Sequence, residues 1–184
     1  MLLAAGFSAR FGTDKRVARL AEGDTLLERS LRVWVEALGP VSVALRAEDA
    51  ALALRVEALG GHPLSCTRSE EGLGATLAQA AAQLPPGPVL VGLADMPFVQ
   101  PQTLRALARR LEDGAEIVAP YFGERRGNPV GFAAARRELL LGLSGDRGAG
   151  ALLHALPLER VAVEDAGVLL DIDRPGDLEA GTGG

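Results

Sequence analysis

The chain is poor in the residues that build covalent or metal-stapled frameworks. Its 184 residues include one cysteine, Cys66, and two histidines, His62 and His154. A lone cysteine closes no internal disulfide, and among apolar and small neighbours Cys66 reads as an inert core residue in a reducing compartment. Neither histidine has a Cys or His partner at the spacing of a zinc site, which argues against structural zinc. No apolar run reaches the roughly 18 to 20 residues needed to cross a bilayer, and the start lacks the pattern of a secretory signal. A cytoplasmic protein with no membrane partner is expected. The net charge of −5 and the pI near 5.1 leave no general surface for nucleic acid phosphates, so any anion site must be local.

What is present is enough apolar material, 48% of the residues, to bury a core without disulfides or metals, and the length suits one domain spanning 1–184. Short β-rich runs alternate with longer stretches of helical period, the pattern of an α/β fold with a mostly parallel sheet between helices. Strands are expected at Met1–Ala4, Val41–Leu45, Leu64–Cys66, Val89–Leu93, Ile117–Ala119, Pro129–Phe132, Leu158–Val163 and Val168–Asp171. Helices are expected at Leu26–Leu38, Glu48–Leu59, Ala75–Leu84, Gln102–Glu112, Ala135–Leu141, Gly148–Leu156 and Gly176–Ala180. Thr25 and Glu28 have capping-box spacing ahead of the first helix, where Leu27, Leu31, Trp34 and Leu38 share one face and place Trp34 in the core. The first strand begins at Met1 itself, as expected if residues upstream are missing.

Six segments carry candidate chemistry. The first strand runs through Ala4 and Ala5 into Gly6-Phe7-Ser8-Ala9-Arg10-Phe11-Gly12, with Lys15 and Arg16 following. Glycines and small residues let backbone N–H groups converge on an anion, and Arg10 and Lys15 supply positive charge. The segment has neither the Gly-Lys-Ser/Thr ending of a Walker loop nor the glycine spacing of a dinucleotide fold. By itself it also fits a tight turn with exposed cations. Asp95, in Asp95-Met96-Pro97, ends the most hydrophobic strand, where an acid can hold a divalent cation beside phosphates; capping a helix is the alternative. Asp171 and Asp173 fall on one side of the last strand by alternation, so either could add a second carboxylate, while Asp177 reads as solvated. In Ser69–Thr76, Gly72, Gly74 and the Thr76 hydroxyl could hold a base or ribose, or simply start a helix. Asn128-Pro129-Val130 and the loop around Asp146 lie where an acceptor would enter, though both also suit ordinary turns.

Together, Leu3-Ala4-Ala5-Gly6-x-Ser8-x-Arg10-Phe11-Gly12-x-Asp14-Lys15, Asp95-Met96-Pro97 and Asp171-Ile172-Asp173-x-Pro175-x-Asp177-Leu178 resemble the MobA-like NTP transferases. The closest look is to the molybdenum cofactor cytidylyltransferases. Glu71-Gly72-Leu73-Gly74 and Gly145-Asp146-x-Gly148-Ala149 also stand in the family's order. The resemblance implies a Rossmann-like three-layer α/β/α fold, bound Mg²⁺, and transfer of a nucleoside monophosphate to molybdopterin with release of pyrophosphate. A molybdoenzyme receiving the product would be a further partner. Ala4-Ala5-Gly6 matches the cytidylyltransferase form of the loop, where guanylyltransferases carry Leu-Ala-Gly-Gly, so CTP is expected over GTP. Asn128 stands where the family has His before Pro-Val, and Gly150 where an Arg often follows Gly-Ala.

Overall fold

The computed structural model describes residues 1–7, 11–146, 148, 153 and 156–180. Among these, eight strands form one sheet: β1 (Leu2–Leu3), β2 (Val41–Arg46), β3 (Gly61–Cys66), β4 (Val89–Leu93), β5 (Ile117–Phe122), β6 (Arg125–Arg126), β7 (Val130–Phe132) and β8 (Glu159–Ala162). The order is β3-β2-β1-β4-β7-β5-β6, with β8 also paired to β5. The ladders β1·β2, β1·β4, β2·β3 and β5·β8 are parallel, whereas β7 runs antiparallel to β4 and β5. The α/β class with a mostly parallel sheet is therefore as expected.

Helices α1 (Leu26–Leu38), α2 (Ala50–Ala58) and α4 (Pro101–Glu112) share one apolar cluster with the sheet, and α3 (Leu73–Gln83) and α5 (Glu138–Leu141) share the other. A short α6 (Asp177–Ala180) follows near the end of the described residues. Strand alternation divides the core: Leu2, Val43 and Leu90 point to the first cluster, and Leu3, Ala44, Val89 and Val91 to the second. The capping box forms, with Thr25 N donating to Glu28 (2.8 Å) and Glu28 N to Thr25 Oγ1 (3.3 Å). Trp34 is core at 2% exposure, while Leu38, at the helix end, is 37% exposed.

Two expectations at the C-terminal end change. Val168–Asp171 is not a strand: Ala166–Leu169 forms a 3₁₀ turn, because the Asp165 carboxylate accepts from Gly167 N (3.0 Å) and closes the chain locally. Pro129 lies outside β7. Tyr121 pairs with Arg126 but Val118 pairs with Gly131, so two extra residues are accommodated around Asn128–Pro129, a cis peptide, before pairing resumes. The helix expected over 148–156 lies largely outside the described residues.

β1 is short because the chain leaves the sheet at once. Ala4 N still donates to Ala44 O (2.9 Å) and Ala94 N to Leu3 O (3.1 Å), after which Ala5 and Gly6 rise between β2 and β4 at the carboxyl edge. Strand connections diverge from β1 in opposite directions here, the crevice where open α/β sheets bind ligands. Gly92 in β4 lets Trp34 seat against this centre: a Cβ there would lie 2.3 Å from the ring's Cζ2. Gly92→Ala should therefore lower stability by about 1–3 kcal/mol, as overpacking does. The fluorescence of the single tryptophan gives the urea midpoint, and an unchanged midpoint would show that the ring moves aside without cost.

Candidate active site

A pocket of about 390 Å³ opens at this crevice. Ala4, Ala5 and Gly6 form one wall, Gly72, Leu73 and Thr76 another, and Lys15, Asp95 and Asp173 line it as well. Lys15 starts a 3₁₀ turn, Lys15–Val17, capped by Asp14, which accepts from Arg16 N (3.1 Å). Arg16, its neighbour, is 5% exposed and also lines the pocket. Its guanidinium donates to Ala4 O (2.8 Å), to Asp14 Oδ2 (2.6 Å) and to Asp49, tying the end of the loop to β1 and to the start of α2.

That clamp sets Lys15 in the pocket, where its ammonium donates to Asp95 Oδ2 (2.6 Å), Asp173 Oδ1 (3.1 Å) and Ile172 O (3.2 Å). Burial works to lower the Lys15 pKa, but the two carboxylates outweigh it and raise it, so the ammonium stays charged. For Asp95 the balance tips the other way: burial dominates, Lys15 only partly offsets it, and the nearby Asp171 charge adds to the rise. Asp95 Oδ1 is buried with no hydrogen-bond partner among the described residues.

The turn after β4 is braced from three sides. Ser30 Oγ donates to Ala94 O (2.9 Å), Ile172 N donates to Asp95 O (2.9 Å), and Asp165, 1% exposed, accepts from Gln100 N (2.9 Å) and Thr103 Oγ1 (2.6 Å). The helix-capping alternative for Asp95 falls: α4 begins at Pro101 with Gln100 at its cap position, and the distant Asp165 holds that end. Nothing in the sequence around Asp165 signalled this.

Asp173 reaches the pocket and Asp171 is exposed outside its lining, so the expected shared side is lost with the strand. Asp177 is not simply solvated: its Oδ2 accepts from Asp173 N (3.0 Å) and Arg174 N (2.8 Å), holding the turn that presents Asp173. Gly72 and Asp146, far apart in sequence, meet. Gly72 has φ +111°, and a Cβ there would lie 2.3 Å from Asp146 Oδ1. The N–H groups of Gly74 and Ala75 donate to Gly145 O (2.7 and 3.3 Å), and the Thr76 hydroxyl donates to Gly72 O (3.0 Å), so these donors hold the loop together.

Gly12, which is exposed, lies outside the pocket lining, and so do Asn128, Pro129 and Val130. Val130 is core, 4% exposed in β7, and Asn128 N donates to Val168 O (2.9 Å). Ser8 and Arg10 lie outside the described residues. Several lining residues escaped the sequence reading, Phe11, Arg16 and Ser69 among them; Phe7 and Leu73 did so because each occupies a variable position inside a glycine motif.

The sequence pattern of the MobA-like NTP transferase domain matches residues 1–161. The chain belongs to that family. This MobA-like protein is 31% identical over 119 residues to a 3-deoxy-manno-octulosonate cytidylyltransferase from Anaeromyxobacter, covering 64% of this chain and 48% of that one. It is 38% identical over 87 residues to the bifunctional protein GlmU of Thermus thermophilus, covering 45% of this chain and 19% of that protein. The match thus spans about half of the first and a fifth of the second. The crystal structure of Rv0371c from Mycobacterium tuberculosis superposes with TM-score 0.77 at 28% identity, covering 97% of this chain and 94% of that one, and Rv0371c has also been solved in complex with manganese. MobA-like membership makes this a nucleotidyltransferase domain, and among the described residues no helix is long and apolar enough to cross a membrane.

The raised Asp95 pKa has a stability consequence. A carboxyl whose pKa is higher folded than unfolded contributes stability below its unfolded value near 3.8 and loses it as pH rises through the folded value. At pH 7 its ionised form therefore costs stability. Asp95→Asn should melt at or above the wild-type temperature at pH 7, with the advantage vanishing below about pH 4, where the wild-type acid is protonated. A melting temperature several degrees lower at pH 7 would show that pairing with Lys15 outweighs burial.

Proposed function

We propose that this chain, as one domain in the cytoplasm, transfers CMP from CTP to the terminal phosphate of a molybdopterin-type acceptor and releases pyrophosphate. The observation that carries the reading is the cluster of Lys15, Asp95 and Asp173 at the switch-point crevice, with Asp95 Oδ1 unpaired among the described residues. Two carboxylates facing the pocket would repel an entering triphosphate. A divalent cation, Mg²⁺ by this proposal, answers both facts. Asp95 and Asp173 would hold it; among the described residues no set of three or more acids, histidines or cysteines could hold a metal, and Mg²⁺ commonly takes one or two carboxylates and completes its shell with phosphate and water. When bound, the cation neutralises charge on the α-phosphate and on the departing pyrophosphate.

The chain's own residues do the rest by position and charge. With a cation on the acids, Lys15 would be left to hold the phosphates of the donor, and Arg10 of the same loop would add a second positive charge. The acceptor's phosphate monoester is mostly dianionic at neutral pH, its second pKa being about 6, so in-line attack of its oxygen on the α-phosphorus needs no histidine base. Ala4-Ala5-Gly6 at the pocket wall supports CTP, as does the cytidylyltransferase among the relatives. A second reading, transfer to another small phosphorylated acceptor such as a sugar phosphate, is favoured by Asn128-Pro129-Val130 lying outside the pocket lining.

Pyrophosphate release, measured with each of four NTPs, Mg²⁺ or Mn²⁺, and molybdopterin or sugar phosphates, tests both. CTP with molybdopterin should give the fastest release, and Lys15→Ala should slow it by about a hundredfold or more, the scale for losing one charge-stabilising donor. Release only with sugar phosphates moves the acceptor to the second reading, and near-normal turnover of Lys15→Ala rejects the role of the lysine.

A further inference from the structure

Two large apolar side chains of the pocket wall stay exposed, Phe7 at 49% and Leu73 at 42%. Phe7 follows the last residue of the phosphate-facing wall, Gly6, and its ring is not left to wander. The Arg46 guanidinium sits over it, 5.0 Å from the ring centroid. Arg46, at the end of β2, is itself held by Asp14 Oδ2 (3.2 Å), Asp49 Oδ2 (3.3 Å) and Glu48 Oε1 (3.7 Å), and Asp14 and Asp49 are the same acids that clamp Arg16. The ion cluster that positions the Lys15 turn therefore also backs the Phe7 ring. Leu73 is supported from behind: a Cβ on Gly148 would lie 2.7 Å from Leu73 Cδ2.

We infer that Phe7, backed by Arg46, is a stacking platform for the nucleobase of the donor triphosphate, with Leu73 as a second apolar wall of the same subsite. The inference rests on the nucleotidyl-transfer reading and adds the residue that holds the base. Its direction follows from the sheet. Pocket residues follow the ends of β1, β3 and β4 or come from the turns at Asp146 and Asp173, and among the described residues none comes from β5, β6 or β7. The charged cluster marks the phosphate end between β1 and β4. A nucleotide with its phosphates there has its base on the β2–β3 side, where Phe7 and Leu73 lie. A phenyl face pairs with any base, because every base presents a π-face, so Phe7 supplies affinity and leaves the choice of base to hydrogen bonding at other positions.

Calorimetric titration with CTP, GTP and inorganic tripolyphosphate, each with Mn²⁺, separates the contributions. Phe7→Ala should weaken CTP and GTP alike by about tenfold, the scale of one base–aromatic stack, leave tripolyphosphate unchanged, and be rescued by Phe7→Tyr. Equal loss of tripolyphosphate binding would mean that the ring only shapes the loop. Unchanged CTP affinity with a raised KM for the acceptor would give the ring to the acceptor. Either result overturns the inference. A wild-type protein that binds none of the three probes would instead refute the nucleotidyl-transfer reading beneath it. Trp34 emission verifies that each variant is folded.

Discussion

The ammonium of Lys15 joins segments 80 and 158 residues away, and the rest of the site is arranged around that contact. Each arm is fixed independently: the lysine by the Arg16 clamp, Asp95 by the braced turn after β4, and Asp173 by the Asp177 carboxylate beneath its backbone. Such a buried arrangement adds little to stability, because desolvating three charges consumes most of what their attraction returns. Carboxylates gathered at a pocket are a poor way to stabilise a fold and, under the proposed function, a good way to receive a cation.

The same logic explains why the loops around the pocket are so heavily tied. The N–H groups at the start of α3 are engaged by Gly145 O, and Thr76 by Gly72 O, so this wall is rigid before any ligand arrives. Gly72 is required there both for its positive φ and because Asp146 occupies the space a side chain would take. The acids Asp95 and Asp173 and the apolar side chains Phe7 and Leu73 thus line one pocket.

Much of this was legible in the sequence because it is local. Alternating strand and helix patterns gave the layers, Thr25 and Glu28 marked a real capping box, and hydrophobic spacing placed Trp34 in the core. Asp95 was singled out because it ends the most apolar strand at the carboxyl edge, where open α/β sheets bind ligands, and it does line the pocket. What escaped depends on contacts between distant segments. Period-2 reasoning turned Val168–Asp171 into a strand, since it could not see Asp165 bending the chain into a turn while bracing α4. Asp177, read as solvated, holds Asp173 through two backbone N–H groups. The bulge at Asn128–Pro129 and the Phe7–Arg46 pair likewise arise from partners that spacing alone does not reveal.

Under the proposed function Lys15 yields both carboxylates to a cation and turns to the phosphates, and a crystal of the protein soaked with CTP and Mn²⁺ would show that exchange. Anomalous manganese density should bridge Asp95 and Asp173, with Lys15 Nζ moved onto the triphosphate. Nucleotide bound while Lys15 still bridges the two carboxylates, or manganese held elsewhere, would refute the exchange.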